Sequence, residues 1–305
     1  LTSKLVTTAH EIPTWVVTAI DAPVETEEVL RERGVAVLRV KESQVEKLSG
    51  AIHDKLNRCA GFIAHDSEAE ALAALTAANK PQTLGASLLA SYNLNNSPSV
   101  NALLGEIQEL NIRNTINSLS TNWTNRYYNV QNGADASTWL KNQWTTVANG
   151  RSDISVALFT HSWKQSSVIA TITGTTLPNE VVVIGGHLDS INQSSPTTGT
   201  APGADDDASG VASVTEIFRA AVAKGYRPAR TVKFIAYAGE EVGLYGSKAI
   251  ANDFKTKAVN VVGVLQLDMT NYKDSSYDFG MVTDNTNAAL NSFTTQLITT
   301  YQPGL

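Results

Sequence analysis

The sequence is short of cysteine, of positive charge and of long apolar runs, and each shortage closes off a class of protein. One thiol, Cys59, leaves no internal disulfide framework for 305 residues, so the fold has to rest on a packed core. Cys59 itself reads as a small buried apolar residue. Charged residues make up 17% and lean acidic, 23 Lys/Arg against 29 Asp/Glu, for a net charge of -6. Binding a phosphate backbone needs a basic surplus that displaces counterions, so nucleic acid is not expected as a partner. No apolar stretch reaches the ~20 residues that a bilayer demands, and mean hydropathy is -0.11; a membrane partner is not expected either. The start, Leu1-Thr2-Ser3-Lys4, carries neither an initiator Met nor an apolar signal core, and the expectation is that any targeting segment has been removed.

Such charge as there is falls unevenly. Charged residues number 21 in the first 82 positions and 31 in the remaining 223, which predicts two units with different surfaces. The polar, proline-bearing stretch 78–98 should hold the join, here drawn as 1–85 and 86–305. The first unit reads as a small α+β domain. A strand is expected at 35–40 and a helix at 43–56, with Val45, Leu48, Ile52 and Leu56 at helical spacing. A short strand at 61–64 and a helix at 68–75, capped by Asp66 or Ser67, follow; His53 and His65 read as surface or core histidines. In the second unit, helices are expected at 99–119 and 134–147, then a hairpin of 154–160 with 167–174. After these come strand 180–186, helix 209–224, strand 231–238, helix 244–253, strand 261–267 and helix 286–300. Three near-continuous apolar strands separated by helices predict an α/β fold, a mostly parallel mixed sheet sandwiched by helices.

Polar groups stand where those strands end. His187 and Asp189 follow Gly185-Gly186, Asp205-Asp206-Asp207 precedes a helix, Glu240-Glu241 follows the strand 231–238, and Asp268 closes 261–267. Open α/β sheets gather ligands at the carboxyl ends of their strands, so one imidazole and several carboxylates are delivered toward one place. Unpaired carboxylates near a core cost several kcal/mol, on the order of the penalty for any buried ion, and a cluster of them raises its own proton affinity. A divalent cation removes both problems. Imidazole with carboxylate oxygens suits zinc, and two zincs can share a bridging carboxylate and activate one water. Taken singly, the same residues have plainer readings: a structural histidine, an aspartate capping a helix, or acids at a helix start.

Together the segments Ile184-Gly185-Gly186-His187-Leu188-Asp189-Ser190, Pro202-Gly203-Ala204-Asp205-Asp206-Asp207-Ala208-Ser209-Gly210, Ala238-Gly239-Glu240-Glu241-Val242-Gly243-Leu244 and Leu267-Asp268-Met269-Thr270-Asn271-Tyr272 resemble bacterial leucyl aminopeptidase and its relatives. These are secreted, two-zinc exopeptidases, and the likeness runs over about residues 95–305. The resemblance implies a zinc exopeptidase fold with two zinc ions. His187 and Asp268 would hold one zinc, Asp206 would bridge both, and Glu241 would bind the second. Glu240 would be the general base, Asp189 would orient His187, and Met269 and Val282 would line the pocket for the substrate's first side chain. It also implies a cis peptide at Asp206-Asp207, peptide substrates with a free N-terminus, and a secreted monomer. Residues 1–85 would be its own N-terminal propeptide, assisting folding or blocking the site until cleaved.

One departure stands out. The family's second zinc takes a further histidine from a late loop, whereas this sequence stops at Gln302-Pro303-Gly304-Leu305, and His10, His53, His65 and His161 lie in no matching context. The resemblance thus implies a chain truncated at its C-terminus, whose 305-residue form would lack a ligand and be inactive. Two alternatives stay open: another two-zinc exopeptidase of the same fold, a carboxypeptidase or dipeptidase, or a non-catalytic relative.

Overall fold

A computed structural model describes residues 13–18, 26–56, 61–79, 92–273, 278, 280–283 and 286–304. Cys59, His10 and most of the expected join lie outside them. The described chain forms two compact units. The first takes its residues from 13–79 together with Glu240–Tyr245, and the second holds the rest of 92–304.

In the first unit, strands β1 (Pro13–Thr18), β2 (Glu27–Glu32), β3 (Val35–Lys41) and β4 (Phe62–His65) make one antiparallel sheet in the order β2-β3-β1-β4. Helices α1 (Glu42–Leu56) and α2 (Glu68–Asn79) follow β3 and β4. Side chains alternate along β3, so its two faces feed two clusters. Ala36, Leu38 and Val40 pack with Val45, Leu48 and Ile52 of α1, while Val37 packs with Ala71 and Leu75 of α2. Ser67 supplies the cap expected of it, its Oγ accepting the Glu70 N–H at 3.2 Å. Strands β1 and β2 were not readable from pattern. The apolar face of β1 is part threonine, with Thr14 and Thr18 buried, and β2 is an acidic edge strand whose outward residues are charged. The segment Glu240–Tyr245 completes this unit. The Gly243 carbonyl accepts the Ala64 N–H at 3.2 Å, and Tyr245 packs on the cluster around Val16 and Phe62.

The second unit carries a five-stranded mixed sheet, β5 (Ile154–Phe159), β6 (Ser167–Ile172), β7 (Leu177–His187), β8 (Arg230–Tyr237) and β9 (Asn260–Gln266), ordered β5-β6-β8-β7-β9. The hairpin β5-β6 and the pair β6-β8 are antiparallel; β8, β7 and β9 run parallel. Its helices are α3 (Ser97–Leu104), α4 (Glu109–Thr121), α5 (Gln131–Ala148), α6 (Ala208–Ala223), α7 (Tyr245–Thr256, entered from Gly246 on) and α8 (Ala288–Tyr301). On one face Leu119, Leu140, Trp144, Val211, Val214 and Phe218 from α4, α5 and α6 meet Val168, Ala170, Phe234 and Ala236. On the other, Ile250 and Phe254 of α7 meet Val181, Val183, Ile235 and Tyr237. The sheet is thus sandwiched by helices, as the apolar strands predict. None of the helices among the described residues is long and apolar enough to cross a membrane.

The expected helix 99–119 is two helices with a break after Leu104. At the break the Gln108 N–H donates to Glu216 Oε1 at 2.8 Å, and the Asn111 amide donates to the same carboxylate. Glu216 lies buried on α6, where Arg219 also meets it at 2.8 Å. A buried acceptor supplied by another helix has overridden local helix propensity.

Candidate metal centre

Strand β7 ends at His187 with its parallel neighbours ending beside it: His187 lies opposite Tyr237 of β8, and Gly185 opposite Gln266 of β9. The ladder continues past the ends, from Leu188 N–H to the Tyr237 carbonyl (2.7 Å) and from Leu267 N–H to the Gly185 carbonyl (2.8 Å). The residues just beyond β7 and β9 therefore emerge at one rim, where the loop before α6 joins them.

At that rim the His187 ring is fully buried. Its Nδ1 lies 3.4 Å from Asp189 Oδ1, and its Nε2 lies 2.9 Å from Asp206 Oδ1 and 4.0 Å from Asp268 Oδ2. Ligand atoms of His187, Asp206 and Asp268 all lie within 4.8 Å of one another, the sole such group found among the described residues. An imidazole nitrogen carries one proton at most, so Nε2 can donate to only one of two flanking carboxylates, and the two acids still repel each other. A cation among the three atoms satisfies all of them at once. One imidazole nitrogen and two carboxylate oxygens form a donor set that fits zinc. Asp189, also fully buried, stands where it can hold the proton of Nδ1 and leave the lone pair of Nε2 facing Asp206 and Asp268.

The glutamates are placed differently. Glu240 and Glu241 follow β8 in a turn that belongs to the first unit, in which the Glu240 carbonyl accepts the N–H groups of Gly243 (2.9 Å) and Leu244 (3.0 Å). Both side chains are buried, and neither is a member of the His187 group. The two residues just ahead of them are pinned at the backbone: the Ala238 N–H donates to Ser167 Oγ (3.0 Å) and the Gly239 N–H to Gln165 Oε1 (3.3 Å). Ser167 Oγ lies 2.9 Å from His161 Nε2. Burial pushes the His161 ring down to about 4, so at neutral pH the ring carries a single proton and, with it on Nδ1, Nε2 can accept the serine O–H. Of the two pocket candidates, Met269 follows Asp268 directly, half-buried with φ at 51°, and Val282 is exposed.

Two residues near the rim make contacts that the sequence does not show. Arg126, buried, donates through Nε to the Leu188 carbonyl (2.8 Å), through Nη1 to the Leu119 (2.9 Å) and Pro202 carbonyls, and through Nη2 to the Gly203 carbonyl (2.9 Å). It ties the loop after β7 to the loop before Asp205. Asp207 is the other. The capping that an aspartate run allows falls on it alone: Asp207 Oδ1 accepts the Gly210 N–H (2.8 Å) at the start of α6. Oδ1 also accepts the Met269 N–H (3.2 Å), and Oδ2 the His187 N–H (2.8 Å). Burial pushes its carboxyl above the usual carboxylate range, against the pull of His187 and of those N–H donors. Asp205 instead accepts the N–H groups of Asn271 (2.9 Å) and Tyr272 (3.0 Å). The Asp206-Asp207 peptide is cis. A charged residue just before a helix signals a cap, but nothing local signals amides arriving from two other strands.

Residues 167–304 match Peptidase family M28. Leucine aminopeptidase 1 of Trichophyton rubrum is 40% identical over 224 residues, which cover 68% of this chain and 59% of that protein. Probable leucine aminopeptidase 1 of Trichophyton verrucosum is 38% identical over 224 residues, with the same coverage. The chain thus spans about three fifths of the length of these relatives. Among solved structures, the LapA aminopeptidase of Legionella pneumophila matches with a TM-score of 0.78 at 27% identity, covering 95% of this chain and 79% of that one. LapB of the same organism shares the fold, with a TM-score of 0.77 at 23% identity over 94% of this chain and 79% of its own. On the sheet, the rim where its strands end and the matched sequence that builds both, residues 167–304 resemble peptidase family M28.

Proposed function

We propose that the protein is a secreted zinc aminopeptidase that removes the N-terminal residue, leucine or another large apolar one, from peptides. The observation that carries this is the His187–Asp206–Asp268 group, with Asp189 against the far nitrogen of the same ring. The 38–40% identity to proteins named leucine aminopeptidase supports the substrate class.

In this reading His187, Asp206 and Asp268 would hold one zinc, and Glu241 would contribute to holding a second. Bound there, zinc supplies Lewis acidity at the peptide carbonyl. Asp189 keeps the His187 ring in the tautomer and orientation of a ligand. Glu240 takes a proton from the attacking water and returns it to the leaving amine, a task that suits a carboxylate held on a turn and shielded from bulk water. Met269 and Val282 face the first side chain of the substrate, whose free amino group is the other determinant of binding. Residues 1–85 act as a propeptide that assists folding or blocks the site until it is cleaved. The enzyme works as a monomer.

The test is hydrolysis of leucine p-nitroanilide by the longest natural form of the protein, beside the 305 residues, before and after chelation. Chelation should abolish turnover and zinc should restore it, with metal analysis giving two ions in the longest form. Turnover that survives complete removal of metal would overturn the proposal.

A further inference from the structure

The Asp207 carboxylate is fully buried, yet it approaches no cationic side chain for which the structure gives a hydrogen bond. Its hydrogen-bond donors are three backbone amides: His187 N–H on Oδ2 at 2.8 Å, and Gly210 and Met269 N–H on Oδ1 at 2.8 and 3.2 Å. What those amides belong to is the point. His187 is one member of the metal group, Met269 follows a second, Asp268, and Asp207 follows the third, Asp206. One side chain therefore grips the main chain at His187 and next to Asp268, and is itself carried by the residue after Asp206. The space for it is reserved: a Cβ on Gly186 would stand 2.9 Å from Asp207 Oδ2, and one on Gly210 would stand 2.4 Å from Oδ1. Capping a helix requires one acceptor oxygen; the second oxygen and the Met269 contact exceed that need.

We propose that Asp207 is a positioning residue for the metal centre, fixing the three ligands in register so that the cation meets a preformed site. This rests on the metal reading given under Proposed function. A carboxylate can do it because both its oxygens only accept. An amide of the same shape cannot, since its NH2 group must face either the His187 N–H or the pair from Gly210 and Met269, donor against donor. Partners in the outer shell of a metal site are worth 10–100-fold in metal affinity, and that range sets the expected effect.

The experiment is a zinc titration of the metal-free 305-residue chain, with a competing fluorescent chelator as reporter, for wild type, Asp207→Asn and Glu216→Gln. Glu216 is a buried acid on α6 whose carboxylate meets Gln108, Asn111 and Arg219 rather than the ligand group, and its replacement controls for general loss of stability. Asp207→Asn should bind zinc about 10–100-fold more weakly, while Glu216→Gln lowers the unfolding midpoint and keeps wild-type zinc affinity. Equal zinc affinity in Asp207→Asn and wild type would overturn the role of Asp207, as would an equal loss in both variants. Wild type that binds no zinc would instead overturn the metal reading itself. If Asp207→Asn does not fold, hydrogen exchange in the metal-free wild type decides: the amides of His187, Gly210 and Met269 should exchange as slowly as those inside α6, and rapid exchange of His187 or Met269 would end the proposal.

Discussion

At the scale of single residues, the proposed chemistry gives neighbours different roles, and substitution should separate them. Glu240→Gln should keep zinc content while turnover falls ~10²–10⁴-fold; metal analysis beside a rate assay checks this, and a near-normal rate would remove Glu240 as the base. His161 makes a pH prediction. Its ring is held near 4 by burial, below the ~6.5 of an unfolded chain. Between those values the unfolded state binds more protons, so the contribution to stability is whole above pH 6.5 and is lost as pH falls toward 4. Urea midpoints measured from pH 7 to 4 should decline less steeply for His161→Gln than for wild type; parallel curves would refute this. Much of the site at this scale was legible. His187 ends a strand, Asp268 stands just beyond one and Asp206 just before a helix, and α/β sheets bring such positions together. Asp207 was not legible as more than a cap, because its partners come from 20 and 62 residues away. Arg126 was not legible either, since an arginine saturated by backbone carbonyls leaves no pattern in side-chain types.

At the scale of elements, packing explains what periodicity read well and what it read badly. Strands β7, β8 and β9 are apolar over most of their length and helix α6 carries a broad apolar face, so their existence and type follow from the sequence alone. The core they form centres on α6: Phe218 is fully buried, tilted against Trp144 and against Phe234 of β8, with ring centroids 6.0 and 5.1 Å apart. Phe218→Ala should cost about 3–5 kcal/mol, the usual range for emptying an aromatic site, with the unfolding midpoint in urea as the measurement. A loss under about 1 kcal/mol would show that α6 is not the keystone of this core. The break between α3 and α4 was misread for a reason of the same kind. Residues 99–119 suit one helix locally, and only the buried Glu216 carboxylate, more than a hundred residues away, captures the Gln108 N–H. Strands β1 and β2 hid because threonine and glutamate occupy positions where pattern reading expects valine.

At the scale of the whole chain, function and folding meet in the first unit. If residues 1–85 block the site as proposed, cutting them away from the longest natural form should raise the rate of leucine p-nitroanilide hydrolysis severalfold or more. An unchanged rate after complete cleavage would leave them a folding role only. The compositional shift near residue 82 announced two units, but composition is blind to interleaving: six residues, Glu240–Tyr245, are borrowed from the far side of the sequence. That loan sets a schedule for synthesis. Chains emerge from the ribosome at about 5–20 residues per second, so the first unit's own strands and helices wait on the order of ten to thirty seconds for the piece that completes them. During that interval Phe62, Ala64 and the rest of their cluster lack Tyr245. The nascent chain therefore cannot finish its units in the order in which it is written, and a nascent-chain proteolysis series should show the first unit gaining its final resistance only after Tyr245 has cleared the exit tunnel.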